Sequence, residues 1–436
     1  MGNCQILSSG DKIKLIRKKY GLRQDDIVGE EVTRNLISQI EHNKAKLTKS
    51  TAEIIIKNLK EIAKKNNLEM DVTADYLLED ELAQANSILE NYVDELKNLI
   101  VYQGGSFYIT LKNAEEFLIQ WDIKEKKVEI YELAGDYFYI QNDLAKSVLY
   151  YEKAFDILDK TSYTKNLLSI LRKLSLMYLN SLKYDRSLET CNFALNHFKN
   201  MPQEYISIFM YNSALCYYYM GYYEKALDVI DKLEVLIKDD SSKLVDVLNN
   251  KACCFDSLRK FNEAADIYLN ILEILNTNNN LKSHQDLLIL ANTIDIYIKL
   301  DSRDDVIKYF NLLLEKLPSA DQNCLYLSTV YFYLYTAFKY LNNLQSAEEY
   351  LLKSLNFAKN HKQYSPQERA LCCLVDFYTE LGDFEKLEEL KDEAIVLSNS
   401  QQKACTSVFY KLLKFFNINN KTETIDKILN FLIKFK

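Results

Sequence analysis

The sequence predicts an all-α protein: a small five-helix head, then a right-handed superhelix of repeated helix pairs. Three observations predict it. Gly and Pro are scarce, 9 and 3 in 436 residues, too few for the many turns of an all-β chain. Apolar residues recur at helical spacing along most of the chain. From about residue 131 onward a pattern of small and aromatic residues returns roughly every forty residues.

The length exceeds what one compact core accommodates, so several domains or a repeat array are expected. The boundaries predicted are 1–70 for the head, 71–130 for a helical connector and 131–436 for the repeats, about seven with a terminal cap. Charge divides in the same place. Residues 1–70 hold 14 Lys+Arg against 9 Asp+Glu, and the remainder 40 against 53. A basic head on an acidic body fits a head that meets phosphate.

The nine cysteines form no Cys-x-x-Cys pair, and most lie inside apolar helical patterns. They read as small buried hydrophobes in a reducing cytoplasm. With four scattered His, a metal site lacks support. No apolar run approaches the length of a membrane span. No cofactor is expected.

In the head, GDKIKLIRKKY places Ile13, Ile16 and Tyr20 on one helical face, with Leu15 beside it. Gly21 ends that helix. A short helix is predicted from about Gln24 to Val28, with a turn over 29–32. Thr33 caps a third helix, RNLISQIEH, whose core side holds Leu36, Ile37 and Ile40. A fourth helix carries Ile54, Ile55, Ile56 and Leu59, and a last segment runs from Glu61 to Leu68. Ile13-Lys14-Leu15-Ile16-Arg17, Gly21-Leu22-Arg23-Gln24 and the run from Thr33 to Glu41 resemble, in order and spacing, the Cro-type (XRE) helix-turn-helix. The likeness spans about 35 residues. It departs at Arg23, where the class has a capping Thr or Ser, and at the acidic turn Gly29-Glu30-Glu31-Val32. The resemblance implies double-stranded DNA as partner. Thr33 then opens the groove-reading helix, Arg34, Asn35 and Ser38 meet base edges, and Gln24, Gln39, Lys44 and Lys46 meet phosphates.

The later chain resembles tetratricopeptide (TPR) repeats, in which small residues at positions 8 and 20 let two helices approach and aromatics flank them. The stretches are Gly135/Phe138/Ser147, Ser175/Tyr178/Tyr184/Ser187, Ala214/Tyr217/Tyr223/Ala226, Ala252/Phe255/Phe261/Ala264, Ile294/Tyr297/Val306, Tyr335/Phe338/Ala347 and Val375/Tyr378/Phe384/Leu387. The spacing, 38 to 42 residues, exceeds the usual 34. Branched or bulky residues in the last three predict looser or rotated packing. First helices line the concave wall, where an extended peptide can lie. Such a ligand exposes backbone donors and acceptors that side-chain amides can match. Position 6 is Asn212, Asn250 and Asn292 in three successive repeats, preceded by Lys173. Neighbouring inward positions hold Arg172, Tyr218, Asn249, Asp256, Asp295, Tyr333, Thr336 and Lys339. The lone Trp121 and the Gly104-Gly105 pair are expected to be a core residue and a hinge in the connector.

Head and repeats together resemble the peptide-pheromone receptors of low-GC Gram-positive bacteria and their phages, the RRNPP group. That resemblance implies a cytoplasmic homodimer, a palindromic operator and a short signalling peptide in the groove. Peptide binding would change dimer geometry and DNA binding. Two other readings stand beside it. One is a TPR scaffold or sequestering regulator without DNA binding. The other is an enzyme, for which no phosphate loop, metal spacing or nucleophile motif speaks.

Overall fold

A computed structural model describes residues 6–435 except 29–30, 67–68, 103–104, 162, 199, 278–284 and 322. The fold is all-α, with no strand among the described residues. The chain divides into two compact units, Met1–Met201 and Pro202–Lys436.

The first unit opens with α1 (Ser9–Lys19), a 3-10 turn (Gln24–Ile27), α2 (Arg34–Glu41), α3 (Lys49–Lys65) and α4 (Ala74–Leu78). Ser8, Thr33, Thr48 and Thr73 each cap the following helix by accepting a backbone N–H. The turn starts at Arg23, which lacks a capping hydroxyl. Asp26 compensates by accepting the Arg23 backbone N–H at 2.5 Å. Ile13, Ile16, Ile27, Ile37, Ile40, Ile55 and Leu59 form the core. Leu15 points outward. The sequence divides 49–68 into two helical pieces, but one helix runs unbroken to Lys65, since no Gly or Pro interrupts its apolar stripe. The fifth helix is instead α4, whose Leu77 is fully buried in the head. Packing of the head thus continues past residue 70. Gly29, Glu30 and Gly104 lie outside the described residues.

The connector is itself a helix pair, α5 (Glu81–Tyr102) and α6 (Phe107–Gln120). It packs on α7 (Lys124–Ile140). Phe107 stacks on Tyr137 with ring centroids 3.7 Å apart. Trp121 does not fill that core. It is only half-buried, at the residue where α6 ends and the backbone leaves helical geometry. The unit continues with α8 (Leu144–Ile157), α9 (Lys165–Asn180) and α10 (Tyr184–His197). The second unit holds six pairs. They are α11 (Gln203–Tyr219) with α12 (Tyr223–Leu236), α13 (Ser241–Ser257) with α14 (Phe261–Thr277), and α15 (Gln285–Lys299) with α16 (Arg303–Lys316). Then come α17 (Leu327–Tyr340) with α18 (Leu344–Asn360), α19 (Tyr364–Leu381) with α20 (Phe384–Gln401), and α21 (Thr406–Ile418) with α22 (Thr422–Lys434).

Each position 8 and 20 residue is buried. Ser147 Oγ donates to the Gly135 carbonyl at 2.9 Å, and Ser187 Oγ to the Ser175 carbonyl at 2.7 Å. These bonds show how close the paired backbones come. From α7 onward the turn between partners contains a left-handed residue: Asn142, Leu182, Gly221, Arg259, Asp301, Asn342, Gly382 and Asn420. Such a residue lets the next N–H reach back to the ending helix, as Asp143 N–H does to the Phe138 carbonyl. The final turn at Asn420 shows that α21 and α22 keep the repeat geometry, as expected of a degenerate cap. Packing does rotate late in the chain. α15 packs directly on α17 more than α16 does, and α19 on α21 more than α20 does. Ile294/Val306 and Val375/Leu387 sit inside those two pairs, where branched side chains replace small ones.

Gly10 marks the tightest approach in the head. A Cβ there would lie 2.0 Å from the Ile40 carbonyl oxygen, which α2's own backbone holds in place. Gly10→Ala should destabilise the head by about 1–3 kcal/mol, because overpacking outweighs the gain in helix propensity. Faster hydrogen exchange across α1 and α2 would show it, and unchanged protection would contradict this packing.

Candidate functional site

Two surfaces gather the residues singled out by sequence. The first is the start of α2. Thr33 accepts the Leu36 N–H at 3.3 Å, so the helix begins on schedule and its first turn is presented outward. Arg34, Asn35 and Gln39 are exposed and Ser38 is half-buried, while Ile37 and Ile40 face the core. Arg34 lies 3.5 Å from Asp25, with both side chains mostly in solvent. A pair so exposed contributes little and can be exchanged for another anion. Lys44 and Lys46 are exposed beyond the helix end.

Gln24 departs from expectation. Its amide donates to Glu41 Oε2 at 2.8 Å rather than standing free. The reason is the burial of Glu41, which is 4% exposed. Arg17 donates to both Glu41 oxygens, at 2.8 and 3.0 Å, and also to the Leu22 carbonyl. Burial alone would raise the Glu41 carboxyl, but the hydrogen bonds from Arg17 and Gln24 outweigh it and hold it below the ordinary value. This triad fixes α1, the 3-10 turn and α2 against one another. Sequence reading quoted Arg17 and Glu41 only as motif letters. Their spacing of 24 residues carries no local signal of contact.

A second buried cation escaped sequence reading. Lys12 is 1% exposed. Its Nζ donates to the carbonyls of Tyr76 and Glu79 at 2.7 and 2.8 Å, at the end of α4. Gln84 on α5 exchanges two hydrogen bonds with the backbone of Leu7. The head is thereby fastened to the connector.

Each unit also carries a polar strip on its own first helices. In the first unit, Lys173 on α9 reaches back to α7 and bonds Asp136 at 2.7 and 2.8 Å and Glu132 at 2.8 Å. Arg172 is half-buried beside it. In the second unit, Asn250 donates to Tyr211 Oη at 2.8 Å and Asn292 to Asn249 Oδ1 at 3.2 Å. Position-6 amides therefore stitch one first helix to the next. Asn212 is the exception, at 5% exposed. It does not present its amide to solvent. Burial pushes the Tyr211 hydroxyl up to about 12, so it keeps its proton. Tyr211 and Asp246 line a cleft of about 160 Å³ between α11 and α13.

Further along, Lys299 Nζ bonds Asp256 at 2.7 and 2.8 Å and Asp295 at 2.8 Å, joining α13 to α15. Burial raises the Asp295 carboxyl, while Lys299 opposes that shift. Tyr333 on α17 has its hydroxyl raised by burial, with Asp295 adding to it. Thr336 donates to its own helix, and Lys339 sits 3.3 Å from Glu380. Tyr218 packs on Tyr219 and Tyr223. Residues of α13 and α15 are thus hydrogen-bonded to one another, while on α17 Thr336 bonds its own helix and Lys339 turns to Glu380. No cluster suited to a metal ion occurs among the described residues, and no described helix is long and apolar enough to cross a membrane.

Glu41 makes the head acid-sensitive. Its folded value is depressed, so its contribution is complete above the ordinary carboxylate range and is lost as pH falls through the folded value. Glu41→Gln should cost about 3 kcal/mol at neutral pH, as removing one partner of a buried pair does. The difference from wild type, read from exchange protection of α1 and α2, should shrink as pH falls toward 3.

No family model and no curated protein matches this sequence. Solved structures do. The apo form of the quorum sensor NprR from B. thuringiensis is similar over 88% of this chain and 99% of its own, at 14% identity and a TM-score of 0.54. Aspartyl phosphate phosphatase F from Bacillus subtilis is similar over 94% of this chain and 95% of its own, at 15% identity and 0.52. The apo form of RapI is similar over 63% of this chain and 98% of its own, at 16% identity and 0.50. At such identities the likeness is one of fold: this chain shares the all-α, stacked helix-pair architecture of NprR, RapI and aspartyl phosphate phosphatase F.

Proposed function

We propose that this chain is a peptide-responsive transcription regulator of the RRNPP type, with no catalytic chemistry of its own. Residues 1–70, extended by the packing of α4, form the DNA-binding domain. Residues 71–130 connect it to the peptide-binding repeats at 131–436. The observation that carries the reading is the outward first turn of α2. Arg34 and Asn35 are exposed there on a helix whose far face is locked into the core by Arg17–Glu41. Arg suits a guanine edge and Asn an adenine edge. Likeness to a quorum sensor over nearly the whole chain supports the same reading.

The mechanism follows from the strip. An extended peptide exchanges hydrogen bonds with Asn250, Asn292 and Asn249, which now bond across first helices, Asn250 to Tyr211 and Asn292 to Asn249. Replacing those contacts by contacts to the ligand changes how strongly successive first helices are held together. The connector, joined to the head through Lys12 and Gln84, is a stiff link for that change. As a homodimer, two heads would bind half-sites separated by one helical turn or a multiple of it. The second reading is a sequestering regulator without DNA binding. The likeness of fold to aspartyl phosphate phosphatase F speaks for it.

DNA binding is tested by a mobility-shift assay with the region upstream of the chain's own gene at low salt. The wild type should shift that DNA, and Arg34→Ala with Asn35→Ala should abolish the shift. No shift by the intact wild type favours the second reading. Peptide binding is tested with synthetic peptides from short secreted reading frames beside the gene. Asn250→Ala and Asn292→Ala should each weaken the bound peptide roughly five- to hundredfold, measured by fluorescence polarisation. Equal affinity in both variants and wild type would remove the amide ladder from the mechanism.

A further inference from the structure

One cation on the strip is left without a counterpart. Arg369 on α19 has its Nε buried with no hydrogen-bond partner. Its guanidinium carbon stands 4.0 Å from the ring centroid of Phe332 and 6.0 Å from that of Tyr333, both on α17. Burying a charged donor unpaired costs free energy that the surrounding fold must supply. The acidic group facing it through space is Asp295. That carboxylate is already bonded by Lys299, which also holds Asp256. Lys339, the next cation along, is paired with Glu380. Among the described residues the row runs Asp256, Lys299, Asp295, Tyr333, Arg369 across four successive first helices, and Arg369 faces Asp295 without forming a salt bridge, its Nε unbonded.

We propose that Arg369 anchors a carboxylate of the bound peptide, which deepens the peptide-binding reading above and rests on it. The guanidinium fork matches the two oxygens of a carboxylate. Stacking on Phe332 restricts the side chain beforehand, so less freedom is lost when the anion arrives. A single arginine favours a carboxylate over a phosphate group, which carries more charge and calls for several donors. The carboxylate is either the peptide's own C-terminus or an Asp or Glu side chain, and the chemistry at Arg369 is the same for both.

The test uses the full chain, immobilised, and three pools of random heptapeptides. One pool lacks Asp and Glu but has a free C-terminus. The second lacks Asp and Glu and is C-terminally amidated. The third is amidated and carries one Asp or Glu. Peptides retained are quantified by mass spectrometry. Wild type should retain a carboxylate-bearing pool roughly ten- to hundredfold better than the second pool, the size expected for a charge-assisted bond. Preference for the first pool identifies the C-terminus as the source, and preference for the third identifies a side chain. Arg369→Ala should lose the preference while keeping wild-type retention of the second pool, which also shows that it is folded. Arg369→Lys should restore part of it. Equal retention of all pools by wild type overturns the anchor and leaves peptide binding standing. So does a preference that survives in Arg369→Ala. Retention of none by wild type overturns both.

Discussion

The close approach of two helices within each pair is the constraint on which the rest depends. It needs small or well-fitted residues at two positions twelve apart and a left-handed residue in the turn between them. Where Ser147 and Ser187 bond the carbonyl opposite, the backbones are near enough for a hydroxyl to bridge them. Each pair then has apolar surface left over on its outer faces, and only the next pair can cover it. The repeat spacing is thus a packing requirement before it is a functional one.

Stacking of this kind places the first helices side by side, and that is why residues about forty apart in sequence become neighbours. Asn250 meets Tyr211, Asn292 meets Asn249, and Lys299 meets Asp256. Polar side chains on these half-buried faces are satisfied by one another in the absence of a ligand, which keeps the cost of exposing an inner polar wall low. On the proposed function, a peptide entering the strip would compete with bonds between neighbouring first helices. Arg369 stands outside this network and gives the strip a polarity from one end to the other.

In the head a different rule applies. A domain of this size has a small core, and four polar side chains reinforce it from within. Arg17 and Gln24 both converge on Glu41, tying α1, the 3-10 turn and α2. Lys12 fastens α1 to the carbonyls at the end of α4. These buried polar contacts leave the first turn of α2 free to face outward.

Much of this was legible in the residues themselves. Local chemistry dictates helices, so Thr33 as a cap, Ile37 and Ile40 as a core face and Gly135/Ser147 or Ala214/Ala226 as a close pair could all be read in order. The scarcity of Gly and Pro settled the all-α class for the same reason. Helix patterning did not reveal that residues 49–65 form one helix, that α4 belongs to the head's core, or that Trp121 ends α6 half-buried. Each of these depends on which neighbour fills a space first. Nor could it show that Gln24 turns inward to Glu41, that Lys12 is buried, or that Asn212 is covered while Asn250 and Asn292 bond across helices. Helical periodicity says which side of a helix faces the protein. How deeply that side is buried, and by what partner forty residues away, is decided only when the helices stack.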